Sequence, residues 1–193
     1  LEYLQKRTVD AIGSMIVFTL SIPVLLYSIV KIKQQSPGPV IYTQQRVGIL
    51  GKEFTLYKLR SMHPDAESRG AQFAEQDDPR AFPYGLTMRK SRIDEIPQLW
   101  NVMKGDLHLV GPRPERKIFT DELEKQIPYY QERHIIRPGM SGWSQVMYPY
   151  GSCVEDTRQK LMYDIYYIKN WDIWLEFEVL IRTLGTMMSR KGL

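Results

Sequence analysis

The chain has 193 residues, of which 43% are hydrophobic and 25% are charged, and its formal net charge is +4. This composition is typical of a globular protein and excludes wholesale disorder, collagen-like repeats and a protein with many membrane spans. The single cysteine, Cys153, excludes an internal disulfide and a zinc site built from thiolates alone. No long run of Lys and Arg occurs, so the basic excess does not indicate nucleic-acid binding.

Residues 11–30 form an apolar run without Asp, Glu, Lys or Arg. As a straight helix this run would be about 30 Å long, the thickness of the hydrocarbon core of a bilayer. Lys6 and Arg7 precede it and Lys31 and Lys33 follow it, so the flanking charges do not select an orientation. The run is compatible with a plain transmembrane helix, with a kinked helix whose ends return to one face, and with a buried core helix.

Pro23 lies in the middle of this run. A proline inside a helix removes one backbone donor and clashes with the preceding turn, which costs about 3 kcal/mol in a straight helix. Pro23 therefore favours a kinked, re-entrant helix, and the hydroxyls of Ser21 and Thr19 are close enough to satisfy backbone groups at the bend.

Beyond the apolar run, the pattern predicts several short elements in chain order. Residues 40–46 and 54–60 are predicted to form two strands, and residues 63–85 a polar surface loop. Apolar residues at helical spacing predict one helix over 87–103, followed by a short strand over 107–110.

The C-terminal half is predicted to be mainly helical. Residues 115–134 are predicted as a helix interrupted at Pro128, residues 137–142 as a loop, and residues 154–169 and 171–188 as two helices. The last helix has an apolar face, two tryptophans at its start, and the basic residues Arg182, Arg190 and Lys191 towards its end. This pattern is typical of a helix at a membrane interface and equally of an amphipathic core helix.

Asp94 and Glu95 are the best candidates for catalytic residues. They follow the cations Arg89, Lys90 and Arg92 within a predicted helix. Side chains of adjacent helical residues point about 100° apart, so one carboxylate can serve as nucleophile or metal ligand and the other as general acid or base. The alternative is a solvated acidic pair near a helix start, which the helix dipole favours.

Two arginines in proline-containing loops indicate a phosphorylated ligand. Arg113 lies between Pro112 and Pro114, and Arg137 precedes Pro138. Prolines fix the main chain, so each guanidinium can bind phosphate at little entropic cost. The alternative is that each arginine satisfies loop carbonyls.

Three further cations lie on the two predicted strands. Lys58 and Arg60 are two residues apart and therefore face the same side of a strand, and Arg46 lies on the neighbouring strand. They could form a phosphate-binding wall, although solvated charges at a sheet edge are the common alternative. His63, His108 and His134 lack metal-ligand spacing, and no role is predicted for them.

Together these segments resemble the monotopic phosphoglycosyl transferases, also called the bacterial sugar transferase family. The resemblance covers essentially the whole chain and is strongest between Asp94 and Pro114. The matching stretches are residues 6–10, the bend at Pro23, and residues 57–62, 93–102, 104–106, 110–114, 137–143 and 163–169.

The resemblance implies an enzyme that moves a sugar-1-phosphate from a UDP-sugar to polyprenyl phosphate and releases UMP. By this resemblance, Asp94 is the nucleophile that forms a covalent aspartyl-phosphosugar, and Glu95 assists the attack by the lipid phosphate. Mg²⁺ is expected at Asp94 and Glu95. Arg113 is expected to clamp phosphate and Arg137 to contribute to nucleotide or phosphate binding.

The resemblance also implies the architecture. We expect a mixed α/β, helix-rich single catalytic domain with a small β-hairpin, a proline-kinked re-entrant membrane helix and amphipathic interfacial helices. Residues 1–35 would form the membrane helix with its flanks, and residues 36–193 the catalytic domain. The expected location is the cytoplasmic face of a bacterial inner membrane. The expected partners are the two substrates and membrane lipid, with a second copy of the chain, in a homo-oligomer, as an option and without nucleic acid.

The family has longer and shorter members, and this chain departs from the family pattern in places. Ile22 stands directly before Pro23, where the family usually has Ser, and Val9 replaces an aromatic residue. The non-Met start at Leu1 and residues 150–157 resemble the longer members, in which this unit follows other segments. Longer members often use a hexose donor and shorter ones often an N-acetylated amino sugar, so the resemblance implies a hexose donor for this chain, with an N-acetylated amino sugar as the alternative. A catalytically inactive, membrane-tethered binding module is the alternative function.

Overall fold

The computed structural model describes residues 2–66, 68, 70, 78–148 and 153–188. Parts of the predicted 63–85 loop, residues 150–152, Arg190 and Lys191 lie outside the described residues. The elements are α1 (Glu2–Gln35), β1 (Ile41–Val47), β2 (Glu53–Leu59), α2 (Pro83–Ser91), α3 (Gln98–Lys104), β3 (His108–Val110), α4 (Lys117–Gln126), β4 (Gly139–Ser141), α5 (Trp143–Met147), α6 (Val154–Lys169) and α7 (Ile173–Met188). Short 3₁₀ turns cover Ile49–Gly51, Ile93–Glu95 and Tyr130–His134. The predicted helix-rich, mixed α/β architecture is confirmed.

The two small sheets have different topologies. β1 and β2 form an antiparallel hairpin in which Ile41 pairs with Leu59 and Val47 with Glu53. This hairpin confirms the two predicted strands to within one residue. β3 pairs in parallel with β4. The loop predicted over 137–142 was therefore wrong for residues 139–141, which form β4.

Glycine allows β3 and β4 to approach each other closely. A Cβ added to Gly139 would lie 2.0 Å from the backbone nitrogen of Gly111. No side chain fits at that distance, so this pair of strands requires glycine at position 139, although glycine is more common in loops. This contact brings the segment after β3, which carries Arg113, against the start of β4.

α1 is one helix of 34 residues with Pro23 inside it. Ser21 Oγ donates to the carbonyl of Val17 at 2.6 Å, and Thr19 Oγ1 donates to that of Met15 at 2.9 Å, so both hydroxyls bond the turn before the proline. By length and composition, the helix over residues 4–35 could cross a membrane. Only 11% of its most apolar 18-residue stretch is buried. A kink and re-entrant insertion stay predictions.

The single helix predicted over 87–103 was wrong. α2 ends at Ser91, Arg92 adopts a left-handed conformation with φ of 54°, and a 3₁₀ turn precedes α3. A non-glycine residue in this conformation costs about 1 kcal/mol, so surrounding contacts must hold it there. Pro97 directly precedes α3 and has no N–H to donate, which suits the start of a helix and not its interior.

Buried side chains join the elements in four clusters. Their buried members are Ile32, Leu59, Phe82 and Met88; Leu56, Val102 and Leu107; Val110, Tyr167 and Val179; and Ile127, Tyr130 and Leu161. The first cluster packs the end of α1 against β2 and α2, and the third packs β3 against α6 and α7. The hairpin, α2 and β3 are thereby fixed around the turn that carries Asp94 and Glu95.

α7 turns one apolar face outwards. Val179 and Glu176 are buried, whereas Trp174, Phe177, Ile181 and Leu184 are exposed, with Trp174 at 78%. These four exposed residues recur at helical spacing and share one face. Of the two interpretations left open by the sequence, an apolar face turned away from the core supports the interfacial helix.

Candidate active site

The turn Ile93–Glu95 presents the two adjacent carboxylates between α2 and α3. The left-handed Arg92 ends α2, and its carbonyl accepts a hydrogen bond from the Glu95 N–H at 3.1 Å. Asp94 is only 7% exposed. The alternative of a solvated acidic pair at a helix start is therefore wrong for Asp94, because its side chain is buried.

Glu95 is held in its ionised form by basic residues on two sides. It forms ion pairs with Lys58 at 2.9 Å and with Arg92 at 3.3 Å. Burial raises the pKa of Glu95, but Lys58, Arg113 and Arg92 outweigh burial and hold that pKa well below its usual range. Glu95 therefore stays a charged acceptor throughout the neutral range.

Asp94 has the opposite electrostatic environment. Burial raises its pKa to about 6, and the negative charge of Glu95 adds to this effect, whereas Lys58 and Arg89 oppose it. Two neighbouring acids thus have pKa values on opposite sides of the usual carboxyl value. Separated pKa values of this kind are typical of carboxylates with different chemical roles.

A small cleft of about 230 Å³, including its open mouth, lies beside Glu95. Its lining residues are Arg46, Leu56, Lys58, Glu95, Gln98, Arg113, Pro114, Gly139 and Met140. Three of these residues are basic and one is acidic, so the cleft fits an anionic ligand. The structure brings Arg46, Lys58 and Arg113 together here, whereas the sequence predicted one wall of Arg46, Lys58 and Arg60 and a separate phosphate clamp at Arg113.

Arg113 and Arg46 differ in how their guanidinium groups are used. The Arg113 guanidinium makes no hydrogen bond or ion pair within the described part of the chain, and it lines the cleft. Arg46 donates to the carbonyl of Pro114 at 3.1 Å and to Gln44 Oε1 at 2.6 Å. Arg113 is therefore free to bind a ligand, whereas Arg46 supports the wall beside it.

Three predicted site residues, Asp94, Arg60 and Arg137, lie outside the cleft lining, although Asp94 directly precedes Glu95, which lines it. Arg60 donates to the carbonyl of Pro39 and to the hydroxyl and carbonyl of Ser36, at 2.6 to 2.8 Å, so it ties the end of α1 to β2. Lys58 and Arg60 thus do not form one wall, since Lys58 turns to Glu95. Arg137 is half-buried and lies near His108, whose pKa is lowered mainly by burial and to a smaller extent by the charge of Arg137.

Sequence reasoning missed the supporting residues Arg92, Gln98 and Arg133. Arg92 was noted only as one of three cations, and its ion pair with Glu95 depends on the unexpected break after α2. Gln98 lines the cleft from the first turn of α3. Arg133 contacts the carbonyl of Arg113 across 20 positions of the chain, a pairing for which no local pattern gives a signal.

The acidic pair suits Mg²⁺ only if a substrate completes the coordination. No group of three or more His, Cys, Asp or Glu side chains that could hold a metal ion occurs among the described residues. Mg²⁺ usually keeps several waters and binds through one or two carboxylates plus substrate phosphates. Asp94 makes no hydrogen bond to another side chain in the part of the chain described, so its carboxylate fits this mode, while Glu95 is already paired.

An exposed apolar helix, two carboxylates with separated pKa values and a cationic cleft are features of a membrane-associated protein that acts on a phosphorylated compound. The chain belongs to the bacterial sugar transferase family, whose model matches residues 1–190. This match confirms the family inferred from the sequence.

Three curated relatives illustrate the range of the family. The UDP-N-acetylgalactosamine-undecaprenyl-phosphate N-acetylgalactosaminephosphotransferase of Aeromonas hydrophila is 46% identical over 187 residues, which are 97% of this chain and 44% of that protein. The UDP-glucose:undecaprenyl-phosphate glucose-1-phosphate transferase of Caulobacter vibrioides is 37% identical over 96% of this chain and 70% of its own length. The undecaprenyl-phosphate galactose phosphotransferase of Salmonella typhimurium is 36% identical over 97% of this chain and 41% of its own length.

The chain spans less than half the length of two of these three relatives. Their names specify three different sugars but the same lipid acceptor, undecaprenyl phosphate. Family membership therefore supports the class of reaction, while the preference for a hexose stays a prediction.

Proposed function

We propose that this chain transfers a sugar-1-phosphate from a UDP-sugar to polyprenyl phosphate and releases UMP. The observation that carries the proposal is the buried Asp94 carboxylate, which is free of other side-chain partners among the described residues and directly precedes Glu95, a lining residue of the cleft that also holds Arg113 and Lys58. The names of the relatives support the same pair of substrates.

The proposed reaction proceeds in two displacements at one phosphorus atom. The Asp94 carboxylate attacks the sugar-bearing phosphorus of the UDP-sugar, and the bond to the bridging oxygen breaks as UMP leaves. A phosphate oxygen of polyprenyl phosphate then attacks the same phosphorus, and the bond to Asp94 breaks. The products are a polyprenyl diphosphosugar and the regenerated carboxylate.

The environment of each acid suits a different role in this scheme. With a pKa near 6, Asp94 is mostly ionised at neutral pH yet remains a better nucleophile than a carboxylate of very low pKa. Glu95 would stay ionised and hold Lys58 and Arg92 beside the reacting phosphate. We therefore assign Glu95 the positioning of these cations in addition to the assistance to lipid attack inferred from the resemblance.

The proposed cofactor is Mg²⁺, held by Asp94 and Glu95 together with the diphosphate. When bound, it would neutralise the diphosphate and favour the departure of UMP. Arg113 would bind a phosphate oxygen within the cleft that it lines, and Arg137, which lies outside the lining, is proposed to contribute to nucleotide or phosphate binding.

The proposed location is the cytoplasmic leaflet of a bacterial inner membrane, with α1 inserted as a re-entrant helix. Two contacts at opposite ends of α1 support this topology. Arg7 donates to the carbonyls of Val102 and Met103 at 2.5 and 2.6 Å, and Ser36 accepts from Arg60 at 2.7 Å. Both ends thus contact the same folded unit, while the apolar residues between them are exposed.

The experiment that tests this function is UMP release in detergent with Mg²⁺ and polyprenyl phosphate. The donors are UDP-glucose, UDP-galactose, UDP-N-acetylglucosamine and UDP-N-acetylgalactosamine, and Asp94→Asn is the control. We expect release that requires Asp94, metal and acceptor, and we predict a hexose donor. A folded protein that releases no UMP from any donor would favour the inactive binding module instead.

A further inference from the structure

The main-chain carbonyls of the segment that carries Arg113 are all held by hydrogen bonds from other parts of the chain. Each of the four carbonyl oxygens of residues 112–115 accepts a hydrogen bond from another part of the chain. In order, the donors are the Gly139 N–H at 2.9 Å, Arg133 Nη2 at 3.0 Å, Arg46 Nη1 at 3.1 Å and the Val47 N–H at 2.9 Å.

The main chain of Arg113 is therefore held in place, whereas its side chain is not. Pro112 and Pro114 restrict the main chain further, because each ring fixes its own φ and limits the residue before it. The guanidinium makes no hydrogen bond or ion pair within the described residues, although its charge acts on Glu95. Its position thus depends on the main chain from which it extends, and a rigid start lowers the entropy that a bound phosphate must offset.

Arg133 is the more deeply buried of the two side-chain donors in this set. It is 6% exposed, and its Nη1 donates to the hydroxyl of Tyr130 at 2.7 Å. Its Nη2 forms an ion pair with Asp164 at 2.8 Å, and the other oxygen of Asp164 accepts from Ser144 Oγ at 2.7 Å. Arg133 therefore connects the Arg113 main chain to α6 and, through Asp164, to α5.

Charge balance explains why an arginine can occupy this position. Burial opposes the charge of Arg133, but Tyr130 and Asp164 outweigh it and hold the pKa of the guanidinium above its usual range. A planar guanidinium can donate to the carbonyl, the hydroxyl and the carboxylate at the same time, whereas the single ammonium of a lysine cannot reach all three.

We propose that Arg133 is a positioning residue for the transfer reaction, which holds the main chain of Arg113 so that its guanidinium is ready to receive the diphosphate of the donor. The proposal rests on the function proposed above. Arg133 itself does not line the cleft and acts only through Arg113.

The test is a double-mutant cycle between Arg133→Lys and Arg113→Ala, with kcat and KM for the UDP-sugar as readouts. Displacement of a binding group by about 1 Å can cost up to about 100-fold in rate, and we expect Arg133→Lys to lower kcat/KM about 10-fold. In the Arg113→Ala background the same substitution should change kcat/KM less than about 2-fold, because the group that it positions is absent.

The matched control is Arg80→Lys. Arg80 forms an ion pair at 2.6 Å with Asp78, which is as deeply buried as Asp164, but neither residue lines the cleft. A loss of thermal stability without a change in kcat/KM is expected for this control. If Arg133→Lys does not fold, Tyr130→Phe replaces it, since this variant removes only one contact of Arg133 and should lower kcat/KM about 3-fold.

Equal losses from Arg133→Lys in the presence and absence of the Arg113 side chain would overturn the proposal, because they would indicate a purely structural role. If the wild-type protein shows no turnover, the proposed function fails separately. The cycle is then measured by calorimetric binding of inorganic pyrophosphate, for which the same coupling between Arg133 and Arg113 is expected and additive losses would again contradict it.

Discussion

At the scale of single residues, the proposed chemistry depends on the different environments of two adjacent acids, Asp94 and Glu95. Glu95 has two ion-pair partners, whereas Asp94 is buried without a partner of its own among the described side chains. Lys58 lowers the pKa of both, but burial dominates for Asp94 and the cations dominate for Glu95. The left-handed Arg92 and the 3₁₀ turn create this difference by turning the two side chains towards different neighbours.

The pH dependence of turnover tests the assignment of the nucleophile. Because only the ionised form of Asp94 can attack, kcat/KM should rise as the pH increases through about 6 and then level off. Lys58→Met removes a cation that lowers the pKa of Asp94, so it should move this rise to higher pH. A rise that stays at the same pH in Lys58→Met would show that another group controls it.

The burial of Asp94 should also reduce stability. A carboxyl pKa raised in the folded state contributes stability below the unfolded value near 4, which is lost as the pH increases through about 6. Asp94→Asn should therefore abolish turnover but raise the free energy of unfolding by about 2 kcal/mol at pH 8. Thermal melts of the two proteins should converge as the pH is lowered towards 4. A variant that melts below the wild type at pH 8 would contradict this expectation.

At the scale of elements, the sequence predicted regular segments well and their interruptions poorly. The hairpin strands and α6 match their predicted bounds to within one residue, because alternation and helical periodicity are local signals. The break at Arg92 has no such signal, since a left-handed arginine is held by tertiary contacts, and only Pro97 indicated a helix start. β4 was missed because glycine and proline predict a loop unless a close partner such as Gly111 is known.

The junction of α1 with α7 depends on a buried ion pair. Lys6 Nζ lies 2.6 Å from Glu176 Oε1, and the Glu176 carboxylate also accepts from Tyr167 and Trp171. Removal of one member of a buried pair leaves a charge without compensation, so Lys6→Met should lower the free energy of unfolding by about 3 kcal/mol.

The matched control is Arg182→Met on α7, the helix that carries Glu176. This variant breaks the half-exposed ion pair of Arg182 with Glu178. That pair should contribute less than about 1 kcal/mol. Thermal unfolding in detergent compares the two variants. Similar melting temperatures for both would show that the buried pair does not stabilise the junction.

At the scale of the whole molecule, the fold that carries the site is joined by contacts between distant parts of the chain. Lys6 and Glu176 are 170 positions apart, and the hydrogen-bonded pair Asp10 and His108 is separated by 98. The sequence could propose Asp94, Glu95 and Arg113 as site residues because motifs are local and specific, and their roles stay predictions. It gave no role to His108, because such a pairing follows from the packing of α1 against β3.

The position of α1 in the membrane is tested by cysteine labelling. In a Cys153→Ser background, single cysteines at the exposed positions Thr8 and Lys33 should both react with a membrane-impermeant reagent from the same side of the bilayer. A cysteine at Leu20, in the exposed apolar middle of α1, should be protected. Labelling of the two ends from opposite sides would contradict the re-entrant topology.

The role of the bend is tested by Pro23→Ala in the same background. Restoring the backbone donor should straighten the helix and change the side from which one end is labelled. Unchanged labelling at positions 8 and 33 would show that the proline does not determine the topology.

The most direct measurement for the central claim is the intact mass of the protein after incubation with the UDP-sugar and Mg²⁺ but without polyprenyl phosphate. The wild type should gain the mass of one sugar phosphate, with the adduct on the peptide that contains Asp94, and should lose it when the acceptor is added. Asp94→Asn should gain nothing. UMP release with acceptor but without any adduct on Asp94 would contradict the covalent mechanism and indicate direct transfer between the two substrates.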